Sequence, residues 1–336
     1  MIFITEESVL KIIKWDETFE AVKTALLKVA KQRVVQQPRT FTGVLNSENL
    51  LLTMPGYLED TKYGALACKL VTVWPNNVTL EKPLPTISAN IALFDSENGT
   101  LKATVAGTEI TKWRTAAASA VATKYLYVNK SKPCKTLAVL GCGAEGKIHA
   151  QAFHHFFEFE EIRLWNRTAA RARRLAEELN QKLTVNVFKC VENNEDCVKG
   201  ADVIVTTTNA TSPIVKMAWV KQGAPHKRLA EAYKYIMYVA VGGGANNHHS
   251  ELDEEIYRNS DVYIDHWAGA HTELSGLEKM GIQFKGEVGA VISGRHSELC
   301  RKSNYRVSES RDGNRRLCCC QVDLRFVHEE VTVFPL

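Results

Sequence analysis

The sequence has no long hydrophobic run, no paired cysteine spacing and no strong excess of charge. Its 336 residues carry 42 lysines and arginines against 38 aspartates and glutamates, a formal net charge of +4. Because this excess is small and partly local, the composition does not favour nucleic acid as a partner. No apolar stretch approaches the roughly 20 residues that span a bilayer, so we expect no membrane association.

The N-terminus also lacks the basic start, apolar core and cleavage site of a signal peptide. We therefore expect a cytoplasmic protein whose nine cysteines are free thiols. The run Cys318-Cys319-Cys320 has no second ligand pair at zinc spacing. The sequence thus predicts no metal site.

The most informative stretch is Leu137 to Gly146, LAVLGCGAEG. Four apolar residues predict a buried parallel strand, a complete G-x-G-x-x-G follows, and Lys147 to Phe157 is typical of a helix. In such a motif the first glycine makes the tight turn, the second lets a pyrophosphate approach, and the third allows close packing of the helix. The amides and the positive dipole end of that helix then face the phosphates. This predicts a dinucleotide site.

The end of the next strand indicates which dinucleotide is bound. The strand Glu161 to Trp165 is followed by Asn166-Arg167-Thr168, with no carboxylate to bind the ribose hydroxyls as in most NAD sites. Arginine suits a 2′-phosphate, so we expect NADPH. A later strand, Ala201 to Val205, ends in three threonines whose hydroxyls are candidates for ribose or nicotinamide contacts.

The order of predicted elements indicates an α/β protein of two domains. Residues 1–126 show a helix and several strand-like runs, typical of an α+β unit with a mostly antiparallel or mixed sheet. Residues 127–292 alternate strands with helices, which predicts a doubly wound parallel sheet of the Rossmann type, with its third strand near Val185 to Phe188. Residues 293–336 have no assignable period, and we expect this divergent segment to be poorly ordered.

Many segments together resemble the ornithine cyclodeaminase/mu-crystallin family, which includes ketimine reductases and an alanine dehydrogenase. The matching segments, in chain order, are QPRT at 37–40, MPGY at 54–57, KLVT at 69–72, NGT at 98–100, ITKWRTAAA at 110–118, LGCGAEG at 140–146, WNRT at 165–168, GADVI at 200–204, SELD at 250–253 and FKGEV at 284–288.

This resemblance implies a substrate-binding and dimerisation domain, completed by C-terminal chain, beside the Rossmann domain. By resemblance Arg39, Lys69 and Arg114 line the substrate pocket and hold a carboxylate, and we expect Lys69 and Arg114 to be catalytic. An α-imino acid offers both a carboxylate for a guanidinium and a C=N carbon that accepts hydride. The predicted cofactor-binding residues are Thr86, Gly141, Gly143, Ala144, Glu145, Gly146, Asn166, Arg167, Thr168, Thr206 and Thr207.

The resulting hypothesis is an NADPH-dependent, homodimeric reductase of cyclic ketimines such as piperideine-2-carboxylate. Alternatives are a cofactor-bound protein that binds an iodothyronine-like ligand, an alanine dehydrogenase, or an ornithine cyclodeaminase-like enzyme. Ala245 falls where the resemblance would place the acidic base of a cyclodeaminase, which favours simple reduction. Residues 225–236 look like an insertion, and the chain departs from the family pattern from about His296 to His328.

Overall fold

The computed structural model describes residues 2–128, 134–220, 237–240, 250–294 and 317–320. The chain divides into two compact units, and the division falls between Ala118 and Ser119. This point lies inside one continuous helix, Thr108–Leu126. No helix in the described ranges combines the length and the apolar character needed to cross a bilayer.

The first unit consists of a seven-stranded mixed sheet and its helices. Its strands are β1 (Ile2–Ile4), β2 (Val34–Gln36), β3 (Thr40–Gly43), β4 (Leu50–Leu58), β5 (Ala65–Val73), β6 (Ile87–Phe94) and β7 (Leu101–Ala106). Its helices are α1 (Glu6–Ile12), α2 (Trp15–Ala30), a 3-10 helix (Pro75–Thr79) and the first half of α3 (Thr108–Leu126). The strand order is β1-β7-β6-β5-β4-β2, and β3 also pairs with β4. Only the β1–β7 pair is parallel within this sheet.

Local chemistry explains how two of its helices begin. The Thr5 side chain accepts a hydrogen bond from the Ser8 amide, so Thr5 caps α1. The carboxylate of Glu6 accepts hydrogen bonds from the amides of Thr108 (2.7 Å) and Glu109 (3.2 Å). A carboxylate at the N-terminus of a helix also interacts favourably with the positive end of the helix dipole. The first turn of α3 is therefore fixed by a residue about a hundred positions earlier.

The second unit is built on an eight-stranded sheet in which every strand pair is parallel. Its strands are β8 (Thr136–Leu140), β9 (Glu161–Trp165), β10 (Phe188–Cys190), β11 (Val203–Thr206), β12 (Met237–Ala240), β13 (Ser260–Ile264), β14 (Phe284–Glu287) and β15 (Leu317–Cys320). Its helices are the second half of α3, α4 (Ala144–Phe156), α5 (Ala169–Leu183), α6 (Asn194–Val198), α7 (Met217–Val220), α8 (Glu254–Arg258), α9 (Trp267–Glu273), α10 (Ser275–Lys279) and α11 (Val288–Ile292).

The strand order, β10-β9-β8-β11-β12-β15-β13-β14, confirms the predicted doubly wound fold. The chain proceeds outward from β8 in one direction to β10, and then returns to continue on the other side from β11. The crevice between the carboxyl ends of β8 and β11 is thus the switch point where such sheets bind ligands. Buried strands such as Leu137 to Leu140 form its core as near-continuous apolar runs.

Two features differ from what the sequence suggested. The third strand of the Rossmann unit is Phe188–Cys190 and not Val185 to Phe188. The reason is that Thr184 ends α5 in the left-handed conformation, and the Asn180 side chain then bonds both the N–H and the C=O of Phe188. The second feature is β15, which lies between β12 and β13 although it belongs to the segment from 293 onward. The C-terminal completion of the first unit falls outside the described residues.

Candidate functional site

The glycine motif forms a tight loop between β8 and α4. Gly141 has φ +109°, a conformation that disfavours any side chain, and its amide donates to the carbonyl of Trp165 at 2.8 Å. A Cβ on Gly141 would lie 2.6 Å from Thr207 Oγ1, and one on Gly146 would lie 1.7 Å from the Gly141 carbonyl oxygen. Both glycines are therefore required by packing inside the protein.

Gly143 is different because its surroundings are open. A Cβ built there would meet no atom within 4 Å, although Gly143 sits at the cap position of α4. The first intrahelical bond runs from the Lys147 amide to the Gly143 carbonyl at 3.0 Å. The preceding amides of Ala144, Glu145 and Gly146 have no intrahelical acceptor. An open face beside amides and a positive dipole end fits a diphosphate.

Two of the predicted cofactor residues also shape this loop. The Asn166 side chain accepts a hydrogen bond from the Cys142 amide at 3.1 Å and donates one to the Thr168 carbonyl at 3.2 Å. Asn166 thus holds the glycine loop against the end of β9.

Arg167 is exposed and makes no ion pair or hydrogen bond within the described part of the chain, so its guanidinium is available to a ligand. Thr168 is exposed at the start of α5.

The threonines after β11 are held by a buried carboxylate that sequence reasoning did not assign. Glu251, fully buried, accepts hydrogen bonds from Thr206 Oγ1 (2.9 Å), the Thr208 amide (2.7 Å) and Thr208 Oγ1 (2.6 Å). The Thr207 hydroxyl points the other way and donates to the carbonyls of Gly141 (3.1 Å) and Leu140 (3.3 Å). The predicted Thr206 and Thr207 therefore lie beside the glycine loop, with their hydroxyls engaged by protein groups. The only local signal for Glu251 was a carboxylate directly before the apolar Leu252 in the SELD segment.

In the first unit, Lys69 occupies an apolar face of the sheet. Its paired neighbours across the sheet are Met54 on β4 and Ile91 on β6, and its same-face neighbours along β5 are Ala67 and Val71. All four are buried, and Lys69 itself is only 3% exposed. A buried ammonium is costly unless a polar or charged group meets it. Lys69 is thus a charged residue in a row of buried apolar side chains.

Arg114 belongs to the same side of the sheet. It lies one helical turn after Ile110 on α3, and Ile110 packs in a cluster with Ile91 and Ala67. Arg114 is also only 3% exposed. The helix that packs on the Lys69 row thus carries a second buried cation.

Arg39 precedes β3 by one residue. In the register of β3 and β4, Thr40 lies opposite Thr53. Continued by one residue, this register places Arg39 opposite Met54, which pairs with Lys69 on β5. The Arg39 guanidinium carbon lies 6.0 Å from the centre of the Phe41 ring. The sheet therefore brings the three predicted substrate-binding residues to one region of the first unit.

A model of the ornithine cyclodeaminase/mu-crystallin family matches residues 1–307. The chain belongs to this family. A rat relative, ketimine reductase mu-crystallin, is 33% identical over 270 residues, which are 80% of this chain and 78% of that protein. A Δ1-pyrroline-2-carboxylate reductase from Bacillus cereus is 33% identical over 214 residues, which cover 64% of this chain and 63% of the relative.

Solved structures of other proteins show the same fold. The Δ1-pyrroline-2-carboxylate reductase of Thermococcus litoralis, in complex with NADH and L-proline, matches with a TM-score of 0.79 and 27% identity. The match covers 98% of this chain and 94% of that one. An archaeal alanine dehydrogenase shares the fold at 23% identity, with a TM-score of 0.75.

One predicted cofactor residue lies in the first unit, and several other predicted features fall outside the described residues. Thr86 is in the first unit, where its carbonyl accepts the Trp74 amide at 2.7 Å, whereas the other predicted cofactor residues are in the second unit. Ala245, at the position of a cyclodeaminase base, lies outside the described residues, as do the inserted segment 225–236 and most of the departure between His296 and His328.

Proposed function

We propose that the chain is an NADPH-dependent reductase of cyclic ketimines, imino acids such as Δ1-piperideine-2-carboxylate, which it converts to cyclic amino acids. The observation that carries the proposal is the placement of Lys69 and Arg114, two nearly fully buried cations, on one side of the first unit's sheet. A small anionic substrate fits this arrangement, since a guanidinium and an ammonium both bind a carboxylate through charge-assisted hydrogen bonds. The named activities of the rat and bacterial relatives support the same reaction class.

The second unit supplies the fitting cradle for a nicotinamide dinucleotide. The first-turn amides of α4 and the space beside Gly143 would hold the diphosphate. When bound, the reduced nicotinamide supplies a hydride to the imine carbon. The NADH in the Thermococcus relative supports a dinucleotide of this type.

The preference for NADPH rests on the end of β9. Asn166 leaves no carboxylate there to bind ribose hydroxyls and to repel a phosphate. The exposed guanidinium of Arg167 follows directly, and a 2′-phosphate would give it a charge-assisted contact. We therefore assign Arg167 to the 2′-phosphate.

The protein's own residues act at the substrate. The guanidiniums of Arg39 and Arg114 would bind the carboxylate, because planar forks match its two oxygens. The Lys69 ammonium would stand by the imine nitrogen and supply a proton as the C=N π bond breaks. The hydride forms the new C–H bond and the Lys69 proton forms the new N–H bond, so the C=N double bond becomes a single bond and the amino acid leaves.

The proposal includes a homodimer formed through the first unit. Its support is the exposed apolar side chains on strands of that sheet, including Phe3 (65% exposed) and Phe41 (60% exposed). Sedimentation equilibrium of the purified protein checks this; a monomer at micromolar concentration would refute the dimer without affecting the assignment of chemistry.

The experiment for the activity follows the loss of NADPH absorbance with cyclic ketimines of five- and six-membered rings. We expect turnover with at least one of them, and loss of turnover in Lys69→Met with the fold retained. Pyruvate plus ammonia is the competing substrate pair. Reduction of that pair with NADH, and no reduction of ketimines, would replace the proposal with an alanine dehydrogenase.

A further inference from the structure

One buried polar link is unexplained by the assignments above. Helix α3 is completely buried over Ala116, Ala117 and Ala118 and again over Ala120 to Ala122. Ser119 interrupts this alanine-rich segment, and its hydroxyl lies 2.9 Å from Nε2 of His149 on α4. Both side chains are fully shielded from solvent.

The hydrogen-bond partners define the state of the imidazole. His149 Nδ1 lies 2.7 Å from the backbone carbonyl oxygen of Glu145. A carbonyl only accepts, so Nδ1 carries a proton, and in the neutral ring Nε2 accepts from the Ser119 hydroxyl. The Glu145 carboxylate oxygen Oε2 lies 3.7 Å from the same Nδ1. The ring therefore ties the first turn of α4 to α3.

The two helices carry the two ligand sites of the proposed reaction. Glu145 belongs to the turn of α4 whose amides are assigned to the diphosphate. Arg114, assigned to the substrate carboxylate, lies five positions before Ser119 on the continuous helix α3. The hydrogen bonds of His149 therefore connect the phosphate-binding turn to the helix that also carries Arg114.

We infer that His149 is a positioning residue, and that its hydrogen bond to Ser119 couples dinucleotide binding to carboxylate binding. The inference rests on the proposed function. Helices are rigid over this distance, and a buried hydrogen bond fixes their relative rotation because leaving either partner unpaired is costly. Filling one site then favours the conformation that the other ligand needs.

The test measures coupling between ligands. The Kd of NADPH is determined by fluorescence, with and without saturating pipecolate, a cyclic amino acid that cannot be reduced by NADPH. In the unaltered protein we expect pipecolate to tighten NADPH binding about fivefold or more, within the usual range of coupling. In Ser119→Ala the ratio of the two Kd values should fall to within about twofold of one. His149→Asn, which keeps a donor near the Glu145 carbonyl but is too short for Ser119, should behave alike.

Two further variants separate coupling from a purely structural role. Thr123→Val is the matched control, because Thr123 is equally buried on α3 and donates only to the Ser119 carbonyl at 2.8 Å. Thr123→Val should lower the melting temperature but keep the coupling between the two ligands. In His149→Gln the terminal amide reaches the Nε2 position, so this variant should retain most of the coupling that His149→Asn loses. Ser119→Ala places a helix-favouring residue of similar size in an alanine-rich face, so this variant is expected to fold.

The outcomes are distinct. Undiminished coupling in Ser119→Ala, or no coupling in the unaltered protein when both ligands bind, would overturn the inference and leave the proposed function intact. Failure of the unaltered protein to bind NADPH or pipecolate at all would overturn the proposed function itself, and the inference with it.

Discussion

Thr207 fills the space that a side chain at Gly141 would need: its Oγ1 lies 2.6 Å from the position of a Cβ there, and its hydroxyl donates to the Gly141 carbonyl at 3.1 Å. The loop after β11 and the loop after β8 are therefore packed as one body. Gly146 closes on the same carbonyl oxygen from the helix side. Of the three glycines in the motif, only Gly143 faces open space.

This packing predicts opposite behaviour for two glycine-to-alanine substitutions. Gly146→Ala places a methyl group against backbone and should destabilise the second unit by about 2 kcal/mol or more. Gly143→Ala should leave the melting temperature within about 2 °C of the unaltered protein, since no atom lies within 4 Å of the new Cβ. It should nevertheless weaken NADPH binding at least about tenfold by obstructing the diphosphate. Calorimetry and fluorescence titration measure both; normal NADPH affinity in Gly143→Ala would contradict the assignment.

Lys69→Met tests the buried cation of the first unit. The methionine matches its apolar neighbours Met54 and Ile91, so we expect unchanged or slightly higher stability. Imine reduction should fall by about 100-fold or more in kcat/KM, while the Kd of NADPH stays the same. Lys102→Met, at an exposed lysine on β7, is the control and should retain activity. Activity equal to that of the control would remove Lys69 from the mechanism.

The cofactor preference depends on Arg167. Arg167→Ala should raise the Kd of NADPH by about 10- to 100-fold, because a charge-assisted hydrogen bond is worth roughly 1.5–3 kcal/mol, and should change the Kd of NADH little. Arg173→Ala removes an exposed arginine from the same helix region and serves as the control. Titration with both dinucleotides decides the matter; equal losses for NADPH and NADH would exclude a contact with the 2′-phosphate.

Glu251 should contribute more to the free energy of unfolding than an exposed glutamate does. Glu251→Ala removes the acceptor for the Thr208 amide and for two threonine hydroxyls, and we expect a loss of about 2–4 kcal/mol in the free energy of unfolding. Glu251→Gln keeps one acceptor oxygen, so its free energy of unfolding should lie between those of Glu251→Ala and the unaltered protein. The comparison variant is Glu254→Ala on the exposed face of α8. Urea unfolding gives the numbers, and a loss no larger than that of Glu254→Ala would show that the threonines find other acceptors.

A pH dependence follows from Glu287 at the end of β14. Burial raises the pKa of its carboxyl above the ordinary value, while the hydrogen bond from the Trp267 amide (3.0 Å) acts against this. Because the pKa is raised in the folded state, the protonated Glu287 carboxyl contributes to stability. This contribution is fully present below the pKa of the unfolded state and is lost as pH rises through the pKa of the folded state. The stability advantage of Glu287→Gln over the unaltered protein should therefore grow as pH rises above about 4.3, the ordinary pKa of a glutamate. Thermal melts at increasing pH compare it with Glu158→Gln, an exposed control; parallel curves for the two variants would refute it.

Local patterns in the sequence were enough for the fold and for the dinucleotide loop. The glycine spacing, the buried strand before it and the alternation of elements lie within short stretches, so the Rossmann fold was predictable. The register that surrounds Lys69 with Met54 and Ile91 is a tertiary property, so Lys69 was indicated only by the resemblance to a family.

What could not be predicted depends on contacts between distant residues. Glu251 meets Thr206 and Thr208 across more than 40 positions, and nothing local marks it as their acceptor. Asn166 was expected to serve the cofactor, and its amide also holds the Cys142 backbone. The start of β10 was missed because the Asn180 side chain delays it.

The most direct test of the central claim is transfer of isotope from cofactor to substrate. NADPH carrying deuterium at both C4 positions of the nicotinamide is mixed with Δ1-piperideine-2-carboxylate and the purified protein, and the product is analysed by mass spectrometry. We expect pipecolate with one deuterium at the former imine carbon, formed in equal amount to NADP⁺. Pipecolate without deuterium, or no pipecolate from a folded protein that binds NADPH, would contradict it.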